Sequence, residues 1–252
     1  MKGKLGRKMK DRQVDLCGRV DFQRDSTLPD LGREETFSFA CRGCGDCCRG
    51  REDIVLSGYD LYRIARRLKL PPQLAAENFC RRYIGAESGL PVLRLAPRRE
   101  AGRNCPFLFQ NRCSIHDAKP LACALYPLGQ EISAEGRVSY FLQPVDCGGK
   151  VQQERVCDYL SRYDIKAREP VDVLWAQRCM ALEDRAETWA REFEPVLLRR
   201  LLQKLEQALY YNYSIDDDFA VQLEENLNWF EKELEKLAEF QSRRNSIKKI
   251  DR

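Results

Sequence analysis

The sequence predicts an α+β protein: a small cysteine-rich metal-binding domain of short strands and helices, followed by a mainly helical C-terminal extension. Two observations predict it. Most of the 12 cysteines lie between Cys41 and Cys147, where prolines and glycines cut the chain into short pieces and apolar runs are brief. Past Pro195 the pattern changes, and Leu198, Leu202, Leu205 and Leu209 repeat at helical spacing. At 252 residues the chain has room for a buried core plus an extension. The boundaries read as a polar lead-in over 1–36, the cysteine-cluster domain over 37–165 and the helical extension over 166–252.

Charge narrows the partners. Charged residues make up 33% of the chain, above the ~25% of typical globular domains, which points to many exposed helical faces. The 43 basic residues are nearly balanced by 39 acidic ones, for a net +4, so composition by itself does not argue for nucleic acid or membrane partners, and neither is expected. The basic start, Met1 to Lys10, leads into no apolar run. With neither signal peptide nor membrane span in view, the expected compartment is the cytoplasm, where thiols stay reduced and serve as metal ligands in preference to cystines.

In chain order, Cys17 stands alone in the lead-in as a bystander. Ile54-Val55-Leu56 is a short apolar run, Ser57 an N-cap, and Leu61, Ile64, Ala65 and Leu68 form a helical stripe that Pro71 stops. A second helix is expected from Pro72 to about Tyr83, with Cys80 buried in it as a small apolar residue. Leu90 to Pro97 and Gly136 to Gln143 read as strands. Val151 to Tyr163 and Asp172 to Phe193 read as helices, carrying Cys157 and Cys179 as buried residues, with Trp175 and Trp189 turned toward the first domain. Beyond Pro195 an antiparallel helical hairpin is expected. Its arms carry Leu198 to Leu209 and Leu223 to Leu237, its turn spans Tyr210 to Asp218, and Ser214 or Asp216 caps the second arm. The tail from Gln241 is polar, basic and expected to fray. The hairpin either covers the core or offers an interface to a protein partner or a second copy.

The chemistry sits in Cys41-Arg42-Gly43-Cys44-Gly45-Asp46-Cys47-Cys48. Four thiols within eight residues exceed any packing need, and Gly43 and Gly45 permit the tight turns that aim successive sulfurs at one centre. A second block runs from Cys105-Pro106 through Cys113-Ser114-Ile115-His116 to Cys123, and Cys147-Gly148-Gly149 adds one more thiol on a turn. The candidate ligands are therefore Cys41, Cys44 and Cys47, then Cys48 and Cys105, then Cys113, Cys123 and Cys147. They suffice for one four-thiolate site with spares, or for two sites. His116, the single histidine, reads either as a ligand or donor at the site or as a satisfied loop residue. Tyr126 reads as a packing aromatic whose hydroxyl is within chemical reason as a thiolate partner.

Together, Cys41-x2-Cys44-x2-Cys47-Cys48, Cys105-Pro106-Phe107-Leu108, Cys113-Ser114-Ile115-His116, Lys119-Pro120-x2-Cys123 with Tyr126-Pro127, and Cys147-Gly148-Gly149 resemble the YkgJ-type cysteine-cluster (CxxCxxCC) family. The resemblance covers roughly residues 37–160. It implies a zinc- or iron-chelating domain related to the cluster region of flagellin lysine N-methylase. The chain departs from the pattern at Lys119 and Ala124, where arginines are expected, and at His116, where tyrosine is common.

The spacing bears on the metal. Cys-x2-Cys-x2-Cys with a distant Cys-Pro is an iron–sulfur arrangement, and a 4Fe-4S cluster is favoured. Zinc is the alternative, because its Cys-x2-Cys knuckles overlap here at Cys44 but remote thiols could still complete a tetrahedron. Neither a G-x-S-x-G elbow nor a P-loop occurs. Three roles stay open: a metal- or cluster-binding protein, a cluster-dependent enzyme (a redox protein or a protein-lysine N-methylase), and a zinc-stapled interaction module.

Overall fold

A computed structural model describes residues 28–51, 53–98, 102–144 and 149–250. Cys17 and Cys147 lie outside the described residues. The chain is α+β, built from short antiparallel strands and a helical C-terminal third.

It enters through β1 (Asp30–Leu31) and β2 (Thr36–Ala40), the latter burying Phe37 and Phe39 on alternate positions. After the first cysteine loop come β3 (Val55–Leu56) and α1 (Gly58–Leu68). Ser57 caps α1 in a full capping box with Asp60, and Lys69 ends it in a left-handed conformation. α2 (Pro72–Phe79) starts on its proline as expected but is shorter, because Cys80 opens a strand, β4 (Cys80–Ile84). Pairing overrides helical propensity there: Cys80 to Ile84 lie in register against β5 (Pro91–Leu95). β3 completes that sheet on the other side of β5.

Next come the hairpin β6 (Leu108–Phe109) and β7 (Arg112–Cys113), the short helix α3 (Leu121–Leu125), β8 (Leu128–Ile132) and β9 (Val138–Leu142). Strands β1, β9 and β8 form one sheet in that order. β10 (Gly149–Arg155) pairs antiparallel with β2, so Val151 to Arg155 is strand where the sequence reads as helix. The segment is polar and lacks alternation, so only its partner strand decides its state. The helix there is α4 (Val156–Leu160) alone.

The C-terminal third holds α5 (Ile165–Glu192), α6 (Pro195–Glu206) and α7 (Phe219–Ile250). Arg178 pairs with Glu224 and Arg185 with Glu231, both 46 residues apart, so α5 and α7 run parallel. Lys204–Glu233 and Arg244–Glu194 pair α6 with α7 in the opposite sense. The expected hairpin is thus present, but within an up-down-up three-helix bundle. Asp218, not Ser214 or Asp216, caps α7, its carboxylate accepting from the Val221 N–H at 3.0 Å. The tail from Gln241 continues the helix as far as Ile250.

Three apolar clusters result. A small one of Ile54, Leu56, Ile64, Leu95, Phe107 and Ile115 carries Cys80, Cys105, Cys113 and Cys123 at its edge. Another joins β2, α3, β8, β9 and α4. The largest runs from Leu61 and Ala65 on α1 to Leu205, Leu223 and Phe230 in the bundle. Trp175 faces α1 as expected, whereas Trp189 packs on Phe230 inside the bundle, with ring centroids 5.7 Å apart. None of the helices among the described residues is long and apolar enough to cross a membrane.

The contact between α1 and the bundle depends on Gly58. A Cβ there would stand 2.3 Å from the Leu209 carbonyl oxygen and 2.5 Å from the Trp175 ring. Gly58→Ala is expected to destabilise the protein by about 1–3 kcal/mol through overpacking. Urea unfolding checks this: the midpoint should fall while the slope stays unchanged.

Candidate metal centre

The first cysteine loop is set by backbone geometry. Gly43 and Gly45 have φ of 65° and 73°, in the left-handed region, and Asp46–Cys48 form a 3-10 turn after Gly45. A Cβ on Gly45 would press to 3.3 Å from the Asn111 carbonyl oxygen, so both its φ and its surroundings favour glycine. Arg49 latches the loop. Its guanidinium donates to the Cys44 carbonyl at 2.7 Å, to Asp46 Oδ1 at 2.9 Å and to Asn111 Oδ1 at 2.5 Å.

Asn111 lies in the β6–β7 turn, where Gln110 and Asn111 both take positive φ, the signature of a tight hairpin of the I′ kind. That hairpin sets Cys113 opposite Leu108. The Cys105 N–H donates to the Cys48 carbonyl at 2.8 Å, bringing the second cysteine block beside the first.

Helix α1 holds the third segment like a ruler. Asp60 Oδ1 accepts the Leu121 N–H at 2.9 Å, Arg63 donates to the Asp117 carbonyl and Arg67 to the Asp117 carboxylate. The stretch from His116 to Cys123 is thereby pinned at both ends. Asp60 is itself buried in a triad with Arg168 and Asp172 of α5, at 2.8 and 2.7 Å from the guanidinium.

Six of the eight predicted cysteines, Cys41, Cys47, Cys48, Cys105, Cys113 and Cys123, line one cavity of about 570 Å³. Cys44 is exposed and does not line it, and Cys147 lies outside the described residues. Cys47, Cys48, Cys105 and Cys123 also line a small compartment of about 20 Å³, together with Arg51, Ile54, Leu95, Pro97 and Pro106. The Cys47 and Cys48 sulfurs are 3.9 Å apart. As they are placed, no three Cys, His, Asp or Glu side chains among the described residues stand close enough to grip an ion.

The thiols sit where thiolates are costly without a counter-charge. The Cys47 pKa is pushed up mainly by its hydrogen bond with Cys48, then by burial, while Lys119 and Arg51 pull it down. Cys48 is pushed up to about 11, chiefly by donating to Cys105, whose own pKa is lowered by that bond. Burial raises Cys113, and Cys123 most of all, with the neighbouring thiols adding to the shift. A divalent metal supplies the charge this set lacks, and soft thiolates suit zinc or iron. A tetrahedron with ~2.3 Å metal–sulfur bonds has an edge of about 3.8 Å, close to the Cys47–Cys48 separation. The donor chemistry therefore suits a thiolate-bound metal.

His116 lies at the cavity wall in an exposed 3-10 turn, and Tyr126 lines the cavity while packing edge-on against Phe39. The other cysteines stand apart. Cys179 is fully buried in the bundle core, Cys80 is wedged between two clusters, and Cys157 is only half-buried, near Glu34 and Asp158. Cys179→Ser is accordingly expected to leave metal content unchanged by elemental analysis. Sequence reading missed Arg49, Arg51 and Asp60 as site residues. Of these only Asp60 carried a signal, as the capping partner of Ser57.

Thiols from four chain segments line one cavity in an α+β frame. Residues 40–148 match the CxxCxxCC family model, described as "Putative zinc- or iron-chelating domain". That span takes in all eight predicted cysteines, and the rest of the chain lies outside it. No curated protein and no solved structure matches the chain.

Proposed function

We propose that the protein is an iron–sulfur protein that holds a 4Fe-4S cluster through thiolates of the cavity cysteines. The observation that carries this reading is a cavity of about 570 Å³ lined by six thiols, far more space than a single ion occupies. The overlapping Cys-x2-Cys-x2-Cys spacing supports it as well. When bound, the cluster supplies one-electron chemistry. The chain's own residues fix the loops that carry the thiols, through Arg49 and Asp60, and set positive charge beside Cys47, through Arg51 and Lys119.

A second reading, one zinc ion on Cys47, Cys48, Cys105 and Cys123, is favoured by the compartment of about 20 Å³ that these four help to line. In that case the metal is a structural staple. Metal and acid-labile sulfide analysis of protein purified without oxygen separates the two. About four iron and four sulfide per chain, with broad visible absorbance, is the expected result. One zinc per chain without sulfide or colour overturns it in favour of the staple.

A further inference from the structure

The cavity has a lining more varied than thiolate binding of a metal requires. Its volume of about 570 Å³ falls within the ~300–1,000 Å³ of small-molecule sites. Beyond the thiols it has an apolar wall of Ile54, Leu95, Phe107 and Ile115, and three permanent cations, Arg51, Arg112 and Lys119. Among the described residues no Asp or Glu lines it.

The three cations are not equivalent. Arg51 is held by Asp53 in a two-point ion pair, and Lys119 stands beside Cys47, so these two serve the thiols. Arg112 lies on β7, one residue before Cys113, with its side chain on the exposed rim. Its guanidinium fork suits two-point recognition of a carboxylate. Phe107 and Ile115, almost fully buried, line the same cavity with apolar atoms. A strongly hydrated inorganic anion would gain nothing from that wall.

We propose that this cavity binds a small organic carboxylate, its charged end on Arg112 and its apolar body against Phe107 and Ile115. The ligand's place beside a metal rests on the thiolate centre proposed above, whereas its charge preference rests on the lining alone.

The test titrates protein purified without oxygen, its metal content measured on the same sample, with benzoate, followed by ligand-observed NMR. Benzamide serves as the neutral isostere and inorganic phosphate as the anion without an apolar body. Benzoate is expected to bind, with benzamide and phosphate each at least about tenfold weaker. Arg112→Gln should weaken benzoate by about tenfold or more, and Arg199→Gln, a cation removed from exposed α6, should not. Absence of benzoate binding, equal binding of benzamide or of phosphate, or an Arg112→Gln variant indistinguishable from the parent overturns the proposal. A sample without metal refutes the thiolate centre, and its preference for benzoate over benzamide still decides the cavity.

Discussion

Cys105→Ser is expected to yield protein that has lost its metal and the stability that comes with it. Cys105 stands where the two cysteine blocks meet: its N–H is bonded to the Cys48 carbonyl and its sulfur lines both the large cavity and the small compartment. Metal binding free energy is also folding free energy, and in small zinc sites it reaches ~10 kcal/mol. Three apolar clusters also hold this chain together, so the loss should be smaller than that and confined to the loops of Cys41–Cys48 and Cys105–Cys123. Elemental analysis and thermal melting of parent and variant check this. A variant with full metal content and an unchanged melting temperature would remove Cys105 from the ligand set. Cys44→Ser is the informative companion, because Cys44, unlike Cys41 and Cys47, does not line the cavity. Metal loss in that variant would mean that the loop turns its first thiols inward on binding.

Arg168→Met should be the most damaging change outside the cysteines. The guanidinium is about 2% exposed and lies between Asp60 and Asp172, with the Tyr59 ring 5.2 Å away. Removing it strands two buried carboxylates, which costs about 3–5 kcal/mol and lowers the melting temperature by roughly 10 °C. Adding Asp60→Asn and Asp172→Asn to Arg168→Met should recover much of that loss, since the charges would then be gone together. If Arg168→Met melts like the parent, the triad is not under electrostatic load.

The same triad gives a pH dependence. Burial, opposed by Arg168, leaves the Asp172 carboxyl raised to about 6. A carboxyl that gains pKa on folding binds its proton more tightly in the folded chain. Its contribution to stability is therefore full at low pH and is lost as pH rises through about 6. Relative to Asp172→Asn, the parent should become more stable as pH falls from about 6 toward 4, and urea unfolding at both values checks the sign.

Local chemistry was legible in the sequence, and distant pairing was not. The Ser57–Asp60 capping box, the proline start of α2 and the β5 and β9 strands are written within a few residues. So are the glycines of the first cysteine loop. By contrast, β4 and β10 exist because other strands lie beside them, and nothing in Cys80 to Ile84 or Gly149 to Arg155 alternates clearly enough to say so. The candidate site follows the same division. Its cysteines declare themselves by density. Cys44 looks equivalent to Cys47 until the left-handed turn at Gly45 separates them. Asp60 reads as a cap until Arg168, 108 residues later, makes it the joint between α1, α3 and α5.

The continuity of the largest cluster bears on how this chain can be dissected genetically. Leu61, Ala65, Ala75 and Leu93 face Leu201, Leu205, Leu209 and Phe219 across one shared interior. A truncation after residue 195 would therefore bare the back of the helix that sets Cys123. A phenotype from such a deletion would report misfolding of the thiol wall before it reported any lost partner. Surface substitutions on α7, which leave that interior intact, are the cleaner instrument for asking what the bundle touches.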